Sequence, residues 1–290
     1  MPDGSLVIGA AGIYHHVPME QYLECEAVGA SDCWNMEKFC PRYAYVRHPI
    51  CPDREPGRES EALSIGSLAH TLILEGENVA AERFAMKPEG MRFNTTEGKA
   101  WQREQEDAGL EIVTEADWIA ARFWAAAIKA DATAMAALAE CDAEVTLLAK
   151  DTETGLAIKS RPDAMRGNLA VNIKTAASAK TVFWASDARK YGYMVSQAMT
   201  DLVLKSLQAD PRPYVFLVIE KAKRWPIIEH YTLPEQLALE GELIVRKSLR
   251  RWAECAERGV WPTYAGDVHE VPVPGGTLQS IERLQQEIYG

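Results

Sequence analysis

Residues 161–175 read RPDAMRGNLAVNIKT, in which two short runs rich in apolar residues flank a Gly-Asn turn. This pattern predicts a β-hairpin, because Gly and Asn favour the tight turns that join antiparallel strands. Asp163 precedes the turn, and Asn172 and Lys174 follow it, nine and eleven positions after Asp163. Side chains alternate along a strand, so residues 172 and 174 share a face, with the carbonyl of Ile173 between them. We therefore expect Asp163, Asn172 and Lys174 to converge at one sheet edge.

The sequence around the hairpin predicts a mixed sheet flanked by helices. A three-stranded antiparallel meander is expected from residues 143–150, 156–165 and 169–175, joined by a DTETG turn (151–155) and an RGN turn (166–168). A helix (191–207), two strands (213–222 and 226–233) and a long amphipathic helix (Glu235 to Glu257, ending at Gly259) are expected to follow. This order predicts an α/β fold rather than a doubly wound parallel sheet.

The N-terminal half is expected to be mainly helical. Residues 1–30 look irregular, and Ser31-Asp32 is interpreted as the cap of a helix that ends at Pro41. An exposed loop (48–61), a mostly buried helix (62–75), a second loop (76–98) and two helices (about 97–108 and 115–139) are then expected in that order. We predict a single domain, with a helical part (1–140), a core (141–265) and a C-terminal tail (266–290).

Composition narrows the class of protein without assigning a function. The chain has 290 residues, 47% of them hydrophobic, and a net charge of −11. This acidity argues against a general polyanion-binding surface, although it allows a local basic groove. No apolar run approaches the roughly 18 residues of a membrane span, and the N-terminus is a poor secretory signal. A cytoplasmic protein is expected.

Six cysteines lie in the chain, and four of them fall in its first fifth. That cluster raises the possibility of an iron–sulfur or zinc site. The spacings of 8, 7 and 11 residues fit no established ligand pattern, and no CxxC pair occurs. Reduced intracellular thiols are the favoured interpretation.

Metal-dependent phosphodiester cleavage is typical of one sequence pattern. In it, an acidic residue in a strand is followed by a hairpin and then by a second acidic residue two positions before a lysine. That reaction needs oxygen ligands for one or two Mg²⁺ ions and a group that stabilises the developing charge. Here Asp163 and the Ile173 carbonyl offer oxygens, and Lys174 can orient the attacking water. Taken alone, the pattern is weak, and a surface hairpin with scattered charges is the alternative.

The order of several local motifs resembles the PD-(D/E)XK nuclease superfamily, and within it the RecE-type exodeoxyribonuclease VIII. The matching segments are GSLAH (66–70), Glu144, DTETG with SRPD (151–163), VNIKTAAS (171–178), YGYMVSQA (191–198), PYVFLVIEK (213–221) and ERGVWPTY (257–264). The resemblance runs from about Ile13 to Tyr264, and the joint order is far more specific than any single motif.

The resemblance implies roles for individual residues. The implied ligands of Mg²⁺, with Mn²⁺ as a substitute and two ions expected, are His70, Asp163, position 172, the Ile173 carbonyl and Glu144. The implied catalytic residues are Lys174, Gln197, Glu144 and Asn172. The implied DNA contacts are Arg161, Ser67, Tyr191 and Tyr193, and a salt bridge to an acid of the site is the alternative for Arg161.

Two positions depart from the family pattern. Asp201 stands where a Tyr often follows the Gln of the helix motif, and Asn172 stands where the family has Asp. The amide is neutral, so the site loses one negative charge, which should weaken Mg²⁺ binding and lower the rate by orders of magnitude. Because the other site residues remain, we favour an altered copy of an active nuclease over a naturally decayed one.

The resemblance implies a 5′-to-3′ exonuclease that acts on linear duplex DNA and leaves 3′ single-stranded tails for recombination. It also implies a RecT-like annealing partner and a ring-shaped homo-oligomer (trimer or tetramer). In such a ring, basic residues would face the bore: Arg161, Lys174, Lys180, Arg189 and Lys190. A DNA-end-binding protein that does not cut is the first alternative. Another PD-(D/E)XK task, such as a nuclease domain tied to a helicase or to CRISPR adaptation, is the second.

Overall fold

The computed structural model describes residues 10–55, 61–167, 169–210, 212–221, 225–264 and 273–289, with 61–64 described by backbone alone. The helices are α1 (Met19–Glu24), α2 (Ala30–Lys38), α3 (Pro41–Tyr45), α4 (Glu61–Leu74), α5 (Glu77–Arg83), α6 (Thr96–Asp107), α7 (Glu115–Ala130), α8 (Ala132–Leu138), α9 (Thr181–Tyr191), α10 (Tyr193–Ser206), α11 (Glu235–Arg258) and α12 (Thr277–Tyr289). The strands are β1 (Gly12–Tyr14), β2 (Phe84–Met86), β3 (Glu111–Val113), β4 (Asp142–Ala143), β5 (Thr146–Lys150), β6 (Ala157–Ser160), β7 (Ala164–Arg166), β8 (Leu169–Ala176), β9 (Tyr214–Glu220) and β10 (Ile228–Tyr231).

The central sheet has five strands in the order β10-β9-β8-β7-β4. Strands β8 and β9 are parallel and every other pair is antiparallel, so the sheet is mixed, as predicted. A second sheet has the order β1-β5-β6, and β2 pairs with β3 in a third. The architecture is α/β, with helices on both faces of the central sheet.

The two faces of the central sheet carry two separate cores, because side chains alternate along its strands. On β8 and β9, Ala170 and Phe216 face a core that includes α2, α9, α10 and α11. Ile173 and Leu217 face a second core with α4, α7 and α8. The polar residues Asn172 and Lys174 have the register of Ala170, so they lie on the α10 face.

The predicted meander was wrong in two respects. Residues 143–150 do not form one strand, because β4 ends at Ala143 in the central sheet and β5 begins at Thr146 in the second sheet. Residues 156–165 do not form one strand but two, β6 and β7, separated by Arg161, Pro162 and Asp163. Proline has no N–H to donate to a ladder, so Pro162 interrupts pairing at this point. As a result β5 and β6 form a sheet with β1, while β7 turns into the central sheet beside β8.

Several other boundaries also differ from expectation. Helix α2 begins at Ala30, and Asp32 caps it from inside the first turn by accepting the N–H of Gly29 at 2.8 Å. Residues 76–98, expected as a loop, contain α5 and β2, and the helix expected at 115–139 is divided at Asp131. Residues 1–30, expected to be irregular, contain β1 and α1, and helices α3 and α9 were not predicted. Residues 1–9, 56–60, Asn168 of the RGN turn, Ala222 and residues 266–272 of the tail lie outside the described residues.

The buried helix α4, strand β9 and the long helix α11 form where the sequence predicts them. Helix α11 ends at Gly259, whose φ of 64° is left-handed and therefore suits glycine. The DTETG turn is held by the fully buried Asp151, which accepts the N–H of Thr154 at 2.9 Å and pairs with Arg246 of α11 at 2.7 Å. No described helix is long and apolar enough to cross a membrane.

Candidate active site

Four of the predicted site residues, His70, Asp163, Asn172 and Lys174, meet beside the start of strand β7 in the central sheet. Asp163 immediately precedes β7, and its Oδ2 accepts the backbone N–H of Ile173 at 2.6 Å. Strand β7 pairs with β8 only as far as Val171, so the Asp163 side chain takes the place of the next ladder partner. This contact fixes the carboxylate beside β8.

Lys174 joins Asp163 to Asn172. Its Nζ donates to Asn172 Oδ1 at 2.7 Å and lies 3.6 Å from Asp163 Oδ2. The ammonium also lies over the ring of Tyr193, 5.6 Å from its centroid. The lysine is only partly buried, with 21% of its side chain exposed, so it can reach a ligand at the surface.

His70 approaches the same carboxylate from the other side of the sheet. It lies on α4, four residues before Leu74, and its Nδ1 is 3.8 Å from Asp163 Oδ2. Leu68, Ala69 and Leu72 bury the core-facing side of this helix. The packing of α4 therefore positions His70 against the end of the hairpin.

Asn172 is almost completely buried, at 5% exposure, and both ends of its amide are hydrogen-bonded. Nδ2 donates to Tyr214 Oη at 2.6 Å, while Oδ1 accepts from Lys174. Tyr214 is also hydrogen-bonded to Thr200, and Thr200 is 2.7 Å from Ser160 Oγ. Burial is the main cause of a raised pKa of Tyr214, so its hydroxyl keeps its proton.

Glu144 and Arg161 form an ion pair beside this cluster. Arg161 donates to Glu144 Oε2 through Nε at 2.9 Å and through Nη2 at 2.7 Å, and its Nη1 donates to Thr146 Oγ1 at 3.1 Å. The N–H of Glu144 donates to the carbonyl of Asp163 at 2.8 Å. The salt-bridge alternative for Arg161 is thus the observed one, and Glu144 is held next to Asp163 through its backbone.

Glu144 has a φ of 51°, which is left-handed and uncommon for a residue with a side chain. Such backbone strain costs on the order of 1–3 kcal/mol and clusters at functional sites. The strain here aims the Glu144 side chain at Arg161 while its N–H reaches Asp163. Among the predicted ligands, Glu144 is therefore the one whose side chain is already engaged by an arginine.

Gln197 is not in hydrogen-bond contact with Asp163, Asn172 or Lys174. It lines a cleft of about 380 Å³ between α10 and α11, together with Asp201 and Glu242. Its Oε1 and Asp201 Oδ1 are buried without a protein partner. Burial is the main cause that raises the pKa of Asp201 to about 6. A hydrogen bond from Gln197 lowers this pKa, and the negative charge of Glu242 raises it.

The residues expected to contact DNA divide into two groups. Tyr193, beside Lys174, stacks on Tyr191 at 5.9 Å between ring centroids, and Lys190 Nζ lies 5.0 Å from the Tyr191 ring. Ser67 is exposed on α4, one turn before His70. Burial is the main cause that raises the pKa of Tyr193 to about 12.

Comparison with known proteins agrees with this architecture. A family model described as "PDDEXK-like domain of unknown function (DUF3799)" matches residues 40–271. The chain belongs to this family of PDDEXK-like domains. A search of curated proteins found no match. The crystal structure of a protein from Eubacterium rectale, described as a candidate exonuclease, is similar with a TM-score of 0.60 at 14% sequence identity, covering 91% of this chain and 97% of that one. At this identity the similarity concerns the fold.

The site of this PDDEXK-like domain has ligand types that suit a divalent cation. It has one carboxylate fewer than the family pattern, because residue 172 is Asn. Imidazole nitrogen and carboxylate and amide oxygens are ligands of such ions. His70, Asp163 and Asn172 supply one of each. In the described part of the chain, however, no three His, Cys, Asp or Glu side chains are grouped to hold a metal ion. An aspartate at position 172 would add a carboxylate beside Lys174 and change the sum of charges on Asp163, Lys174 and residue 172 from zero to −1.

Tyr214 and Thr200 are site residues that the sequence analysis did not identify. Tyr214 opens β9, where an aromatic residue is typical of any strand, and Thr200 lies on α10 among mostly apolar residues. Neither carries a chemical signal by itself. Only the parallel pairing of β8 with β9 places the Tyr214 hydroxyl under residue 172.

Proposed function

We propose that this PDDEXK-like domain is the scaffold of a metal-dependent exonuclease on linear double-stranded DNA, weakened by Asn172. The observation that carries the proposal is the convergence on one oxygen, Asp163 Oδ2, of the Ile173 N–H, Lys174 and His70. An acid, a lysine and an imidazole around one point suit phosphodiester cleavage. Nucleases with this fold use divalent metal ions, and Mg²⁺ is proposed here.

A bound divalent cation would supply positive charge at the scissile phosphate and lower the pKa of a bound water. Asp163, His70 and the Ile173 carbonyl are the groups that would hold it. The Lys174 ammonium would donate hydrogen bonds to the attacking water or to a phosphate oxygen. In the present chain one of its three donors is taken by Asn172, which further reduces what the lysine can give the substrate.

A row of two aromatic rings between two cations supports DNA as the substrate. It runs from Lys174 to Tyr193, Tyr191 and Lys190, with neighbouring groups 5.0–5.9 Å apart. Aromatic rings stack on bases and cations pair with phosphates, which is how proteins hold single strands without reading their sequence. Tyr191 is half exposed, so a base can reach it.

The finer points of the proposal rest on the resemblance to RecE-type enzymes. They are digestion from the 5′ end, release of 3′ single-stranded tails, and delivery of those tails to a RecT-like annealing protein in the cytoplasm. The resemblance also supplies the proposal of a ring-shaped homo-oligomer.

The deciding experiment compares the native chain with the Asn172→Asp variant, and the double variant Asn172→Asp/Lys174→Met serves as the inactive control. Substrates are linear duplexes labelled at the 5′ or the 3′ end and a covalently closed circle, with and without Mg²⁺. We expect the Asn172→Asp protein to release the 5′ label from linear DNA only, at least ~100-fold faster than the native chain. Cutting of the circle would point instead to another PD-(D/E)XK task.

A DNA-end-binding protein that does not cut is the second candidate. The observation in its favour is that the Asn172 amide is hydrogen-bonded at both ends, so the neutral site is stable as it stands. It predicts that both proteins bind duplex ends and that neither digests them. If neither protein binds or cuts DNA, both candidates fail.

A further inference from the structure

The row from Lys174 to Lys190 continues onto helix α2. Lys38, the exposed last residue of α2, donates from its Nζ to the backbone carbonyl of Lys190 at 3.3 Å. The Lys38 ammonium therefore lies at the end of α9, next to the residues of the row. An ammonium has three donors, and this bond uses one of them, so the others can reach a ligand.

Trp34 holds α2 against the two tyrosines of the row. Its ring packs so closely on Gly192, the residue between Tyr191 and Tyr193, that a Cβ at this glycine would lie 2.5 Å from Cδ2 of the ring. The Lys38 ammonium lies 5.9 Å from the centroid of the same ring. The surface of the two tyrosines and the surface of Lys38 therefore adjoin each other.

Two further aromatic rings follow Lys38. Its Nζ lies 5.6 Å from the centroid of the Phe39 ring, and Phe39 stacks on Tyr43 of α3 with ring centroids 4.0 Å apart. Both rings are half-buried, and Phe39 lines a surface cleft of about 520 Å³, so a planar base can reach it. Arg47 lies over the Tyr43 ring but is already paired with Glu55 at 3.1 Å, so we take Tyr43 as the end of the row.

The lysines of this surface keep their positive charge available. Glu37, next to Lys38 in sequence, is paired with Lys247 of α11 at 2.7 Å. Neither Lys38 nor Lys190 lies within ion-pair distance of an acidic side chain in the part of the chain that the structure describes. The surface is therefore locally basic in a protein whose net charge is −11.

We propose that Lys38, Phe39 and Tyr43 extend the row into a path for single-stranded DNA that leads away from Asp163. The inference rests on the proposed function, because the strand that the path would hold is the single-stranded product of digestion. Neighbouring groups from Lys174 to Tyr43 lie 3.3–5.9 Å apart. Rings that stack on bases and lysines that pair with phosphates hold a single strand whatever its sequence. In a duplex the faces of the bases are covered by their neighbours, so the rings favour a single strand.

The experiment measures how affinity grows with the length of the strand. Fluorescence anisotropy follows binding of the native chain to oligothymidylates of roughly 4 to 16 nucleotides, without divalent metal, so that no cutting takes place. Phe39→Leu/Tyr43→Leu, called the ring variant, removes both rings and keeps apolar side chains in their places. Lys38→Gln removes one exposed charge. Circular dichroism and thermal melts verify that each variant is folded.

Phe93→Leu is the matched control. Like Phe39, Phe93 is half-buried, lies near a lysine and stacks on a second ring: Lys87 Nζ is 4.5 Å from its centroid, and Trp101 of α6 is 6.4 Å away. This pair of rings is not part of the row. The control therefore measures what the loss of a half-buried ring does by itself.

The native chain and the Phe93→Leu control are expected to bind the longest oligonucleotide at least roughly 5- to 150-fold more tightly than the shortest, which is the contribution of one stacked base. The ring variant is expected to bind the shortest strand like the native chain and to lose most of the gain with length. Lys38→Gln is expected to reduce the steepness of log affinity against log salt by about 0.7, the value for one phosphate of a single strand.

A native affinity that does not grow with strand length, or a ring variant that keeps the gain, would overturn the proposal. An equal gain for a blunt duplex of the same length would overturn it as well, because the surface would then bind duplex phosphates. If the ring variant does not fold, the salt dependence of Lys38→Gln decides: a reduced steepness supports the path, and an unchanged one overturns it. None of these measurements needs cutting, so the strand path and the nuclease proposal can fail separately.

Discussion

Asp163 Oδ2 accepts the backbone N–H of Ile173 at 2.6 Å, so a side chain completes the β-ladder where strand β7 is absent. Ile173 is fully buried, and a buried N–H without a partner is costly. The same oxygen lies near Lys174 and His70. One carboxylate therefore supports the fold and forms the centre of the candidate site.

Asp163→Ala is expected to lower the free energy of unfolding by about 1–3 kcal/mol, because the Ile173 N–H loses its acceptor. Asp163→Asn keeps an acceptor oxygen and should lose clearly less stability while removing the charge. Urea denaturation of the three proteins measures the difference. Equal stability losses for Ala and Asn would contradict the proposed ladder role of the side chain.

Tyr214→Phe tests the network under Asn172. The change leaves Asn172 Nδ2 buried without its acceptor and should cost about 1–3 kcal/mol of stability. In an Asn172→Asp background the hydroxyl would donate to a carboxylate, a stronger bond, so the same change should cost more. Urea denaturation of the four proteins gives the coupling, with Tyr264→Phe, altered at a 71% exposed ring, as control. Equal costs in both backgrounds would rule out the predicted coupling.

Tyr191→Ala tests the proposed strand contact without touching the Asp163 cluster. Stacking of a base on an aromatic ring is worth about 1–3 kcal/mol, so affinity for a short single-stranded oligonucleotide should fall by roughly 5- to 150-fold. Phe183→Ala, at another exposed ring on α9, should leave the affinity within about twofold of the native value. Fluorescence anisotropy measures both, and similar losses in the two variants would argue against a specific role for Tyr191.

Gly192 separates α9 from α10 and sets the position of Tyr193. Its φ is 72°, and an added Cβ would lie 2.5 Å from Cδ2 of the Trp34 ring. Gly192→Ala is therefore expected to cost about 2 kcal/mol or more, from the left-handed backbone and the clash together. Thermal unfolding measures it, and Gly109→Ala, at a φ of 74° with open space, separates the backbone contribution from the clash. Similar losses of stability in both variants would show that the clash with Trp34 does not contribute.

The hairpin and its three polar residues could be predicted from sequence because turn chemistry and strand alternation are local. The same holds for α4, whose apolar spacing places His70 beside a buried face. The division of residues 156–165 into β6 and β7 depends on Pro162 and on which sheet each half joins. A single sequence does not indicate which strands pair with each other in different sheets.

Gln197 shows a different limit. On helix α10, residues 196 and 200 lie on the side that faces the strands. Gln197 and Asp201, each one position later, lie on the side that faces α11. Both faces carry polar residues at helical spacing, so the sequence does not indicate which one meets the site. Family resemblance assigns Gln197 a role near the water, and in this structure a cleft lies in front of it instead.

Asp201 gives this cleft a measurable pH dependence. Burial raises the pKa of Asp201 to about 6 in the folded protein, whereas the unfolded chain loses this proton near pH 4. Folding therefore takes up a proton between these values, and the contribution of Asp201 to stability is fully present below about pH 4 and is lost as the pH rises through about 6. Asp201→Asn should remove this dependence and be more stable than the native chain at pH 7.5 by about 1 kcal/mol, after a discount for solvent screening of a partly exposed group. Urea denaturation at pH 5 and pH 7.5 measures it, with Glu82→Gln at an exposed position as control. An unchanged difference in stability between the two pH values in Asp201→Asn would mean that another group governs it.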